Sequence, residues 1–230
     1  MRKKLIIILL ILVGANLTKA QTNLDDFGRI VLNTYLPDNN SIPAEAKQAL
    51  ENKLNQIATN NGMGGSQLNP RFIITAALNI GTKDIIAGPP QLIAQNVDVT
   101  LFIGDALSNT KFSNVTISLK GVGTNENKAM IDALKTLNPK NKEVVAFLEE
   151  GKNKIISYYA TNCDFIIKDA NSLAEQFKFN EAILKLMAVP DVCKDCYFKS
   201  KDLATIKATR ADIQKQYEAI GAELAKLDLA

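Results

Sequence analysis

The sequence predicts an α+β fold: a small, mostly antiparallel sheet with helices on one face, followed by an all-helical C-terminal hairpin or bundle. Three observations carry this prediction. Apolar residues alternate with polar or small ones in separate segments between residues 72 and 119, the period of half-buried strands. Segments with apolar residues three and four apart stand before and after them, the period of amphipathic helices. Composition also changes near residue 140, where β-branched runs and turns give way to a stretch rich in Lys, Glu, Ala and Leu with almost no Gly or Pro. The predicted division is 1–20 as a signal peptide, 21–140 as an α+β domain and 141–230 as a helical domain.

A first strand is expected over about 28–35, where Ile30, Leu32 and Thr34 alternate with Val31, Asn33 and Tyr35. Ser41 and Pro43 then supply a helix start, and Ala46, Leu50, Leu54 and Ile57 make its apolar stripe up to Asn60-Asn61-Gly62. Phe72, Ile74, Ala76, Leu78 and Ile80 mark a second strand, Val97 to Ile103 a third and Val115 to Leu119 a fourth. A hairpin connection is read from Gly104-Asp105 to Lys111. Thr124 is placed as the cap of a helix carrying Ala129, Met130, Ala133, Leu134 and Leu137. Beyond residue 140, Val144, Leu148, Gly151, Ile155, Tyr159, Cys163, Ile166, Ala170 and Leu173 predict one long amphipathic helix. A short helix around Ala182–Met187 follows and stops at Pro190, and Asp191 opens a last helix that reaches Leu227.

The N-terminus sets an address. Arg2, Lys3 and Lys4 precede an unbroken apolar run from Leu5 to Val13, and Thr18-Lys19-Ala20 offers small residues at the cleavage positions. That is the layout of a secretory signal peptide, with an apolar core too short to span a bilayer. The expected mature protein begins at Gln21, carries no cysteine there for a lipid anchor, contains no later transmembrane run, and is soluble in the periplasm or outside the cell. Whole-chain charge is 27 cations against 24 acids, but four cations lie in residues 1–20, leaving 23 against 24. With no basic patch, nucleic acid is excluded as a partner.

Residues Val97 to Leu137 resemble the strand–strand–helix segment of periplasmic modules such as the LPP20/FlgT-type lipoproteins and the N-terminal domain of TolB. The shared features are an alternating strand, an Asp-containing hairpin, a second strand, and Gly121-Val122-Gly123-Thr124 running into an Ala-rich helix. This resemblance implies an envelope protein that binds other proteins. Separately, Ala170, Leu173 and Ala174 with Phe179-Asn180-Glu181-Ala182-Ile183 and Leu186 look like one tetratricopeptide unit over about 157–190. Single units of that kind need neighbours to stack on.

Chemistry narrows by absence. The chain has no histidine, which removes Ser-His-Asp and Cys-His catalysis and the commonest metal ligand. Three cysteines alone fall short of the four N/S ligands of a structural zinc site, so no metal and no cofactor are expected. Gly62-Met63-Gly64-Gly65-Ser66 follows a helix and precedes a strand, the reverse of a phosphate loop, and reads as a helix end and turn. No catalytic residue is assigned.

Cys163, Cys193 and Cys196 are disulfide candidates. In an oxidising compartment Cys163 is expected to join Cys193 or Cys196, stapling the last helix to the long one, with roughly 3 kcal/mol from closing the loop. The alternative is a thiol-disulfide oxidoreductase using Cys193-Lys194-Asp195-Cys196 at a helix start. Thr82 to Pro90 is the candidate contact loop: Ile85, Ile86, Pro89 and Pro90 stand where Gly88-Pro89-Pro90 disfavours a regular strand, and exposed apolar loop residues mark interfaces. The functional expectation is a secreted or periplasmic, non-enzymatic protein-interaction module with protein partners, which the resemblance places in cell-envelope assembly. A structural subunit of a larger assembly is the further alternative.

Overall fold

Leu32–Thr34 (β1), Ala44–Asn60 (α1), Phe72–Ile86 (β2), Leu92–Asp105 (β3) and Thr110–Gly123 (β4) follow the predicted order, then Glu126–Thr136 (α2), Lys142–Glu175 (α3), Phe179–Met187 (α4) and Lys194–Leu227 (α5). They are seen in a computed structural model that describes residues 28–37, 42–65 and 71–227. The predicted signal peptide, the cleavage point and Ser41 lie outside the described residues.

The sheet order is β1-β2-β3-β4. β1 runs parallel to β2 because α1 carries the chain back across the sheet, while β2–β3 and β3–β4 are antiparallel hairpins. Val97, Val99, Leu101 and Ile103 of β3 are fully buried on one face. Of the intervening positions, which face away, Asp98 and Thr100 are polar and Phe102 lies under Lys111: the Thr100 and Thr116 hydroxyls share a hydrogen bond of 2.9 Å, and Ser118 Oγ donates to Asp98 Oδ1 at 2.6 Å. Helices on one face and water on the other is the predicted α+β packing. Leu50, Leu54 and Ile57 of α1, Met130 and Leu134 of α2, and Val144, Phe147, Leu148, Ile155 and Tyr159 of α3 complete the core. Each such full burial contributes about 1.5–3 kcal/mol.

Two glycines let helices lie close to the sheet. A Cβ on Gly121 would run into the backbone of Ala129 and Ala133 on α2. At Gly151, where α3 crosses the sheet, a Cβ would sit 2.6 Å from Ile103 Cδ1 and 2.8 Å from Ser113 Oγ. Ser113 Oγ instead donates to the Phe147 carbonyl at 3.1 Å.

Helix ends differ slightly from expectation. The cap of α2 is Asn125, whose side-chain oxygen accepts from Lys128 N at 2.9 Å, and not Thr124. The glycines after α1 form the expected helix end and turn, with Gly62 at φ 73° and Ser66 outside the described residues.

α3 belongs to two cores. Its first half fills the sheet's core, although a boundary at residue 140 would give the whole helix to the second part. Its second half contributes Ile167, Ala170 and Ala174 to a smaller cluster with Ala182 and Leu186 of α4 and Ala204 of α5. α4 packs on both long helices. α5 runs in the same direction as the second half of α3, since Cys163 meets Cys196, Lys199 Nζ donates to Asp164 at 3.1 Å, and Glu175 faces Lys207. No described helix is long and apolar enough to cross a membrane.

Candidate functional site

The most exposed built feature is the far end of the β2–β3 hairpin. β1 pairs with β2 only from Phe72 to Ile74, so beyond Ile74 the outer edge of β2 has no strand beside it among the described residues. The hairpin continues past the body, and every residue from 79 to 91 is exposed. Ile85 and Ile86, predicted on an irregular loop, belong instead to a strand in register with Ile93 and Leu92. Sequence reasoning placed the turn too early. The prolines occupy the turn itself, outside both strands, where no ladder hydrogen bond is lost. Neither isoleucine tucks under the sheet: Ile85 is 63% and Ile86 44% exposed. Pro89 and Pro90, joined by a cis peptide bond, are exposed at the tip.

The base of this arm is held in place. A register shift between Ile80 and Lys83 bends it, with Asn96 Nδ2 donating to Thr82 Oγ1 at 2.7 Å across the bulge. Lys83 forms an ion pair with Glu126 at the start of α2. Both groups are half-exposed, so the pair orients more than it stabilises. Beside the arm, Leu92, Val122 and Ile131 line a shallow groove of about 420 Å³ rimmed by Lys128, Asp132 and Lys135. Asp132 accepts the Val122 N–H at 2.9 Å, which occupies part of the β4 edge. The arm thus offers unpaired strand edge and adjacent apolar side chains, the ingredients of strand addition by an extended peptide.

A second constellation, which sequence reasoning missed, lies buried at the opposite end of the same hairpin. Asp105 ends β3 and Tyr159 stands on α3; both are buried. Arg71 Nε donates to Asp105 Oδ2 at 3.0 Å, its terminal nitrogen donates to the Tyr159 hydroxyl at 2.5 Å, and that hydroxyl donates to Asp105. Asp105 Oδ1 accepts the N–H groups of Leu107 at 2.8 Å and Ser108 at 3.2 Å, which shapes the β3–β4 turn. The guanidinium lies 5.0 Å from the Tyr159 ring centre. Burial alone would raise the Asp105 carboxyl, but the Tyr159 hydroxyl, Arg71 and the two N–H groups together hold it below the ordinary carboxylate range. Burial and the hydrogen bond to Asp105 push the Tyr159 phenol up to about 12. A phenol so far from working pH is locked as a donor, and a carboxylate so well satisfied is locked as an acceptor. This is a polar pin fastening α3 to the sheet. Its three members lie far apart in the chain, and no local pattern announces them.

The cysteines resolve to one pairing. Cys163 and Cys196 form a disulfide with 5.6 Å between Cα atoms, and Cys193 is free and partly buried against the main core. The dithiol of the oxidoreductase alternative is not brought together, because Cys196 is bonded across to α3. Among the described residues no group of three or more His, Cys, Asp or Glu side chains is arranged to hold a metal.

No known family matches this chain, and no curated protein matches it. Solved structures show partial likeness. A minor lipoprotein from Acinetobacter baumannii is 15% identical with a TM-score of 0.32, covering 55% of this chain and 92% of that one. A lipoprotein from Caulobacter crescentus is 13% identical with a TM-score of 0.29, covering 54% and 83%. A PelC dodecamer from Paraburkholderia phytofirmans is 14% identical with a TM-score of 0.33, covering 54% and 87%. These similarities concern about half of the chain.

Proposed function

We propose that this chain is an exported, non-enzymatic protein-interaction module of the cell envelope that holds an extended segment of a partner protein along its β2–β3 arm. The observation that supports this reading is the uncovered β2 edge beyond Ile74 with Ile85 and Ile86 exposed beside it. An edge of this kind supplies main-chain hydrogen bonds, and the isoleucines supply side-chain contact. Pro89 and Pro90 cap the tip and limit how far an added strand can run. Export rests on the Arg2-Lys3-Lys4 start, the Leu5–Val13 run and Thr18-Lys19-Ala20.

The test is capture from the native envelope with the full exported chain and with an Ile85→Lys/Ile86→Lys variant. Loss of specific bound proteins by the variant, at an unchanged melting temperature, is the expected result. Retention of the same proteins would overturn the assignment of the arm. N-terminal sequencing of the native protein should begin at Gln21; an intact Met1 on a cytoplasmic protein would overturn export.

A further inference from the structure

The three cysteines are arranged for more than a fixed staple. Cys193 stands immediately before α5, and its carbonyl accepts the Tyr197 N–H at 2.9 Å, the first hydrogen bond of that helix. Cys196 lies in the same first turn, is buried, and is bonded to Cys163 of α3. One end of α5 therefore carries both the free thiol and one sulfur of the disulfide. Cys-x-x-Cys pairs of this spacing are able to bond with each other. The other groups that α5 sets against α3 hold it weakly. Lys199 and Asp164 form an exposed ion pair, a kind worth little in water. Ser200, on the stripe between Cys196 and Ala204, is fully buried with no partner for its hydroxyl. Lys207 is buried between Glu175, which attracts it, and Arg210, which repels it. Both polar burials cost stability. Ala204 is the buried apolar side chain that α5 gives to the small cluster, with Leu203 at its edge.

We propose that Cys193 and the Cys163–Cys196 disulfide form an exchange switch, which fastens α5 to α3 in one state and frees it from α3 in the other. Cys193 gives its proton to water, and its thiolate attacks Sγ of Cys196. A Cys193–Cys196 bond forms and the Cys163–Cys196 bond breaks. The Cys163 sulfur leaves with the electron pair and takes a proton from water. One disulfide and one thiol stand on each side, so no oxidant or reductant is consumed. The seating of α5 decides the direction. With α5 packed down, Cys163 is held against Cys196 and the free thiol is Cys193. With α5 lifted from α3, closing one turn costs less chain entropy than closing a span of 33 residues, and the bond moves into α5. The arm has no part in this exchange, which stands or falls separately from the proposed function.

The test follows the free thiol in the full exported chain. Oxidised protein is incubated in urea below its unfolding transition, quenched in acid, labelled with a maleimide and mapped by mass spectrometry without reduction. Before incubation the label should sit on Cys193. With time it should shift to Cys163, matched by peptides in which Cys193 and Cys196 are linked, at a rate independent of protein concentration. Cys193→Ser should show no label at Cys163. The freed state is read in Cys163→Ser treated with oxidised glutathione. Cys193 and Cys196 should bond there, and amides around Ser200 should lose protection against hydrogen exchange relative to the stapled wild type. If Cys163→Ser fails to fold, the label on the wild-type chain decides the exchange by itself. A label that stays on Cys193, a transfer that speeds up with protein concentration, a folded Cys163→Ser whose two thiols stay unpaired, or unchanged protection around Ser200 would each overturn the proposal.

Discussion

α3 and α5 are both 34 residues long, and they are used in opposite ways. α3 buries residues from Val144 to Ala174 and joins the sheet's core to the helical cluster. α5 buries its first half and then leaves the body with its apolar stripe uncovered. Their sequences carry the same kind of three-four spacing. Periodicity therefore says that a helix has a face to bury, while only the tertiary arrangement says whether the same chain supplies the cover.

The largest expected effect breaks α3 away from the sheet. Asp105→Ala removes the acceptor that Arg71 and Tyr159 share and leaves a partly buried guanidinium and a buried phenol without their carboxylate. Loss of about 3–5 kcal/mol is expected in urea unfolding. A loss under about 1 kcal/mol would show that the pin is ornamental. Next comes the direct contrast between the two helices. Ile155→Ala on α3 should cost about 2–5 kcal/mol, because its fully buried side chain leaves a cavity. Ile213→Ala on α5, measured at high dilution, should stay within about 0.5 kcal/mol of the wild type. Equal costs at the two sites would erase the distinction.

The disulfide tests where the two helices are bound together. Cys163→Ala should lower stability by about 2–4 kcal/mol, since the bond closes a span of 33 residues. Alkylation of the oxidised protein should label one thiol, at Cys193. The smallest effect is on acid sensitivity. The Asp105 carboxyl titrates lower folded than unfolded, so its contribution is complete above the unfolded value near pH 4 and is lost as pH falls through the folded one. Melting temperature should therefore drop more steeply below about pH 4 in the wild type than in Asp105→Ala. Parallel curves would detach the acid response from this residue.

Much of this architecture could be read from residue spacing. The alternation of Val97 to Ile103 and the stripe from Val144 to Leu173 are local signals of elements that bury one face, and they gave β3 and α3. The alternation that marks β2 stops at Ile80 because the bulge between Ile80 and Lys83 shifts its phase, although the strand runs on to Ile86. The Gly88-Pro89-Pro90 turn then made its last residues look like loop. The polar pin was invisible because Arg71, Asp105 and Tyr159 meet only through folding. The choice between Cys193 and Cys196 was equally closed to sequence, since one helical turn separates them and the packing of α5 on α3 decides which faces Cys163. The candidate contact residues Ile85, Ile86, Pro89 and Pro90 stand out in the sequence as apolar residues beside a turn, whereas the strand that carries Ile85 and Ile86 does not.

The uneven packing of α5 also has a thermodynamic consequence. A single unbroken helix here contains two units of different local stability. Amides around Cys196 to Ala204 are fastened by the disulfide and the small core, so their hydrogen exchange should track opening of the α3–α4–α5 cluster. Amides past Lys207 have only the helix's own hydrogen bonds and should exchange through local fraying in the monomer. Protection should thus fall within about two turns, in the middle of a helix whose backbone shows no break. Reducing the disulfide should lower protection on the Cys196 side and leave the other side unchanged.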